Sequence, residues 1–303
     1  MVGEFGQLVR PFVCNGGRIE LAPVRYDGHR QVQHRASRAR IHQSDAGRDL
    51  LGLLLGADAS AGRADAGLAD NKTGGYGVVQ GSNIGYIYVW GWFGNSELDF
   101  ANAVYDLTQV RKVEALVVDY RYNVGGFLRA PKLGTALLSK HPAPTLGNDE
   151  RLKATNHFQM KTLFTPSYFD LDFTIIDGQR VRIKESYAGP VAVLVGPGAL
   201  SAGDFGSELA RSLPLARTFG KSTSMALGLP TQPALGTFID LGPGWDGRVS
   251  ESNSYEVGAP HDYLIHTEFP VGERVWLTPS DVASGKDTVV GAALAWINQH
   301  LGH

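Results

Sequence analysis

The chain has 303 residues, of which 43% are hydrophobic and 19% charged, and its formal net charge is -2. That length supports one large domain with appendages or two small ones, and the near-neutral balance gives no electrostatic reason for a nucleic-acid or anionic-membrane partner. The longest apolar run, LLGLLL at 50–55, is far short of the roughly 20 residues needed to span a bilayer, so a soluble protein without membrane insertion is expected.

The N-terminus MVGEFGQLVRPF has neither the basic start nor the long apolar stretch of a signal peptide. The single cysteine, Cys14, has no partner for an internal disulfide or a zinc knuckle. Residues 1–75 form a separate N-terminal region of weak periodicity, with no lysine before Lys72 and a stretch rich in Ala, Gly and Asp from Ala46 to Asp70. Within it, HRQVQHRASRARIH reads as a solvated arginine-rich helix face rather than a nucleic-acid arm.

From residue 76 to 303 the pattern clears into a catalytic core. Ile84 to Trp90 (IGYIYVW) reads as a strand, followed by a helix whose apolar positions Leu98, Ala101, Val104 and Leu107 share a face. Ala115 to Asp119 is a second strand, Arg129 to Ser139 a second helix, and Asp177-Gly178 marks a tight hairpin. Val191 to Val195 then feeds a helix carrying Phe205, Leu209 and Leu213, and the chain closes in a helix from Thr288 to His300. Strands alternating with helices predict an α/β fold, a layered sheet with helical crossovers, joined to the smaller N-terminal region. Trp90, Trp92, Phe93 and Trp245 either line an apolar cleft or belong to the core, the commoner fate of strand aromatics.

Two stretches carry chemistry. In GPVAVLVGPGALSAGDFGSELARSLP a hydrophobic strand ends in a Gly/Pro loop, and Ser201 opens the next helix. Unpaired N–H groups and the helix dipole there favour an oxyanion, with Ala202 N–H as one donor. Ser201 with Asp204 also fits a capping box, which would make the serine only a cap. In EALVVDYRYNVGGF a strand ends in Asp119, Arg121, Asn123 and the pair Gly125-Gly126, a loop able to approach another backbone closely.

Together, strand-D-x-R-x-N-x-G-G and the downstream strand-loop-S-A-x-D-helix resemble the tail-specific peptidase superfamily. This group includes the C-terminal processing proteases, the tricorn core protease and the retinoid-binding repeats. The likeness runs from Gly81 to Ile297 and takes in YEVGAPHDYLIH, where His261 departs from the family's closing E-x-x-G-x-x-P-D segment. It implies that Ser201 is the nucleophile of an acyl transfer, with Ala202 and one of Gly125 or Gly126 forming an oxyanion hole.

The resemblance offers two bases. TFGK at Thr218 to Lys221 matches the lysine segment of the processing proteases, but aligned without gaps from Ser201 the lysine position falls on Ala226. The lysine-free reading is simpler. VRYDGHRQ then resembles the D-G-H segment of tricorn-like members and makes His29 the general base, with Glu256 of YEVG orienting it or the serine. A peptide substrate is implied. A small ester cleaved by the same site, and a non-catalytic binder of apolar ligands, are the alternatives. No H-E-x-x-H, cysteine cluster, P-loop, Rossmann fingerprint or G-x-S-x-G elbow occurs, so no metal and no cofactor are expected. No carboxylate-binding PDZ segment is recognisable between His29 and Ile84.

Overall fold

The computed structural model describes residues 74–139, 146–152, 157–162, 173–176, 178–183, 186–227, 237–240, 246–249, 252–256 and 262–302. Residues 1–73 of the predicted N-terminal region, with His29, lie outside these residues, as do Trp245 and His261.

The chain begins with strands β1 (Gly74–Val78) and β2 (Ile84–Val89), then α1 (Ser96–Tyr105), which runs on into one π-helical turn at Asp106–Val110. Strand β3 (Ala115–Asp119) leads to α2 (Pro131–Leu138). Strands β4 (Leu146–Leu152) and β5 (His157–Thr162) and the hairpin β6 (Phe173–Ile176) to β7 (Gln179–Arg182) follow. Next come β8 (Val191–Val195), α3 (Ala202–Arg211) and β9 (Ala216–Gly220). Strands β10 (Thr237–Asp240), β11 (Asp246–Val249), β12 (Ser252–Glu256) and β13 (Glu273–Arg274) precede α4 (Pro279–Ala283) and α5 (Thr288–Leu301).

The central sheet has the order β1-β2-β3-β8-β9-β13. Only the edge pair β1–β2 is antiparallel; every other neighbouring pair is parallel. This is the expected α/β architecture. It follows from the apolar runs ALVVD and VAVLV, which are buried on both faces as parallel strands require. Alternation divides them between two cores. Leu116, Val118, Val193 and Val195 pack with Phe100 and Val104 of α1, Leu137 of α2, and Phe205 and Leu209 of α3. Ala115, Val117, Ala192 and Leu194 pack with Val289, Ala293 and Ile297 of α5 on the opposite face.

Element boundaries differ from the sequence reading by small amounts with local causes. Strand β2 ends at Val89, one residue early, and α2 starts at Pro131, whose fixed φ and missing N–H suit a first helical position. The buried face of α1 also takes in Phe100 and Ala103, whereas Leu98 is only half-buried. The predicted hairpin is present, with Ile176 opposite Gln179 and Gly178 at φ +76°. Trp92 is a core residue, edge-on to Phe100 and Tyr120 with ring centroids 5.3 and 5.7 Å away, while Phe93 stays exposed. Among the described residues no helix is long and apolar enough to cross a membrane.

Candidate active site

Strands β3 and β8 are parallel neighbours, so the loops leaving their C-terminal ends lie side by side. Asn123 fastens them together. Its Nδ2 donates to the Val89 carbonyl at 3.1 Å, its Oδ1 accepts the Gly125 N–H at 3.0 Å, and its own carbonyl accepts the Leu200 N–H at 3.0 Å. An asparagine two residues before a glycine is a recognisable Asx-turn signal, although the sequence reading assigned Asn123 no such role.

Gly125 and Gly126 have φ values of +83° and +131°, a backbone region closed to most L side chains. Trp92 N–H donates to the Gly125 carbonyl and Phe127 N–H to the Trp92 carbonyl, which fixes the loop as a parallel bridge and turns the Gly126 N–H away from Trp92. The two glycines therefore differ: the Gly125 N–H is spent on Asn123, whereas the Gly126 N–H donates to no other group among the described residues.

Ser201 stands at the N-cap of α3 with φ 56° and ψ -119°, a strained conformation for a non-glycine residue. Its side chain caps nothing. The capping-box alternative thus fails in its first half, since the hydroxyl is not used to satisfy the helix end. Ala202 N–H, at the first helical position, likewise has no acceptor among the described residues.

The carboxyl half of the box is present in another form. Asp204 is fully buried, and its two oxygens accept the N–H groups of Met225 and Ala226, each at 3.0 Å. Burial pushes its carboxyl up to about 6; the N–H groups of Met225, Ala226 and Ser201 act in the opposite direction. The Thr223 hydroxyl also lowers it, although it makes no full hydrogen bond. Position 226, where the gapless alignment puts the family's lysine, is therefore bonded to the first turn of α3, and it carries an alanine.

The Asp119–Arg121 pair of the D-x-R motif serves the scaffold. Arg121 grips Asp119 through Nε and Nη2, at 3.0 and 2.7 Å, and reaches Asp287 through Nη1 at 2.7 Å. Tyr86 donates its hydroxyl to Asp119 at 2.6 Å, and Asp287 caps α5 by accepting from Val289 and Val290. Burial opposes the guanidinium charge, yet the Asp119 and Asp287 carboxylates hold its pKa well above the ordinary value. The network ties α5 to the root of the glycine loop. The sequence reading found Asp119 and Arg121 but not their partner, which is 166 residues from Arg121.

Lys221 directly follows β9 and is exposed, with its Nζ 5.2 Å from the centroid of the Trp276 ring. Trp276 packs on the α5 side of the sheet, opposite the core that receives α3. Glu256 ends β12 and lies near Glu208 of α3. Burial raises the Glu208 pKa, the Arg211 guanidinium lowers it, and the Glu256 charge raises it further. The other candidate base, His29, is outside the described residues. Among those residues no group of three or more His, Cys, Asp or Glu is arranged to hold a metal ion.

A helix-layered, mainly parallel sheet that ends in a strained serine turn beside a glycine loop defines the class as an α/β protein. Residues 83–237 match the sequence profile of peptidase family S41, and the chain belongs to that family of tail-specific serine peptidases. No curated protein matches the chain. Among solved structures, a suspected peptidase from Parabacteroides merdae is 20% identical with a TM-score of 0.54, over 77% of this chain and 68% of its own. A photosystem II D1 C-terminal processing protease is 18% identical with a TM-score of 0.42, over 67% of this chain and 47% of its own. A lipoprotein from Streptococcus agalactiae is 11% identical with a TM-score of 0.49, over 90% of both chains. At these identities the first likeness speaks for the fold alone. The chain spans about half the length of the processing protease.

Proposed function

We propose that this chain hydrolyses peptide bonds through an acyl-enzyme formed on Ser201. The Ser201 hydroxyl attacks the scissile carbonyl carbon, its proton passes to the His29 imidazole, and the carbonyl oxygen becomes an oxyanion. Ala202 and Gly126 supply the N–H donors that meet this charge; Gly126 takes the role because the Gly125 N–H is already engaged with Asn123. The imidazolium returns the proton to the leaving amine, and Glu256 orients the imidazole or the serine. Water then attacks the acyl carbon by the same route and frees Ser201.

One observation carries this reading: Ser201 holds a strained φ of 56° at a helix start without using its side chain as a cap. Strain of order 1–3 kcal/mol that supplies no structural hydrogen bond is common at functional sites. Treating the folded chain with a fluorophosphonate probe and mapping the labelled peptide tests the assignment. The expected product is one adduct on Ser201, lost in Ser201→Ala. A folded chain that labels elsewhere, or not at all, contradicts it.

A further inference from the structure

We infer that Asp204 is a positioning residue whose carboxylate holds the turn that aims the Ser201 hydroxyl; this rests on Ser201 being the nucleophile. Four non-glycine residues among those described have positive φ: Lys112, Ser201, Met225 and His266. Two of them, Met225 and His266, lie in one run of hydrogen bonds that starts at Asp204, and Ser201 opens the same helical turn three residues before Asp204. The Asp204 carboxylate accepts the N–H groups of Met225 and Ala226, each at 3.0 Å, and the Met225 carbonyl accepts the His266 N–H at 2.9 Å.

Such backbone conformations persist only where the surroundings over-determine them. A fully buried carboxylate with no ion pair among the described residues is itself costly, and two backbone donors, Met225 and Ala226, make it tolerable. An ordinary helix cap would need only the Ser201 N–H. The grip on Met225 and Ala226 does more: it clamps a segment from beyond β9 against the serine turn. The turn that opens at Ser201 is thus packed against one fully buried carboxylate.

The shape of the acceptor is specific. Asparagine has the same size, but it replaces one acceptor oxygen with an NH2 group that would face an N–H donor. A misaligned nucleophile slows the chemical step rather than binding, and a displacement of about 1 Å costs roughly a hundredfold.

The test compares the full-length wild-type chain with Asp204→Asn and Asp204→Glu. The rate of Ser201 phosphonylation at saturating fluorophosphonate is separated from the apparent binding constant, and the thermal midpoint reports folding. Asp204→Asn is expected to lose about a hundredfold in the limiting rate with little change in binding. A folded Asn variant that labels at the wild-type rate overturns the proposal, as does one in which only binding weakens. If the Asn chain fails to fold, Asp204→Glu carries the test, since it keeps the charge and moves it by one methylene. A folded Glu variant should lose at least about tenfold, and the wild-type rate in that variant overturns the proposal. A wild-type chain whose Ser201 takes no label defeats the nucleophile reading first, and the positioning role with it.

Discussion

Gly125 faces Ser201 so closely that a Cβ built on the glycine would stand 2.9 Å from the serine Cβ, with the Leu200 carbonyl at 2.8 Å and the Ala202 nitrogen at 3.2 Å. No side chain fits there, and the φ of +83° would strain one in any case. Gly125→Ala must therefore push the glycine loop away from the serine turn. The expected result is a loss of about 10²–10³ in kcat, the scale of one missing oxyanion donor, with KM changed much less. Steady-state kinetics check this, and a Gly125→Ala enzyme of normal kcat contradicts the close approach.

Asp204 makes stability depend on pH. Its carboxyl is raised by burial from 3.8 to about 6, so between these values the folded chain holds a proton that the unfolded chain has released. The corresponding stability is fully present below about pH 4 and is lost as pH rises through about 6, an effect of about 3 kcal/mol at most. Urea unfolding from pH 4 to 7 should show wild type losing stability relative to Asp204→Asn. Parallel pH profiles for the two chains would contradict the raised carboxyl.

Arg121 is the centre of a buried network, pairing with both Asp119 and Asp287. Arg121→Ala leaves Asp119 and Asp287 without their shared cation and should cost about 3–5 kcal/mol of unfolding free energy. A denaturant midpoint that is unchanged would show that α5 is held to the sheet by apolar packing alone.

Lys221 and His29 give opposite outcomes. Lys221 rests on Trp276, so Lys221→Ala should remove a contact of about 0.5–1 kcal/mol and keep most activity. His29→Ala should lower the acylation rate by several orders of magnitude, since a serine and its base act as a unit. An inactive but folded Lys221→Ala enzyme beside an active His29→Ala enzyme would return the chain to the serine–lysine branch.

The core strands were legible because ALVVD and VAVLV are apolar without interruption, and the serine turn because a Gly/Pro loop separates one such strand from an amphipathic helix. What could not be read was decided by distant partners. Arg121 announces a charge but not that Asp287 answers it, and the Gly125-Gly126 pair announces close approach but not which N–H stays open. That distinction depends on Asn123 Oδ1. Asp204 was read as a local cap because its other donors, Met225 and Ala226, are 21 and 22 residues away.

The central claim is most directly measured by Ser201→Ala, assayed on a peptide substrate alongside its thermal midpoint. Since the Ser201 side chain makes no cap hydrogen bond, removing the hydroxyl should leave the midpoint within a few degrees while turnover disappears. A Ser201→Ala chain that cleaves the peptide at a rate comparable to wild type would contradict the account.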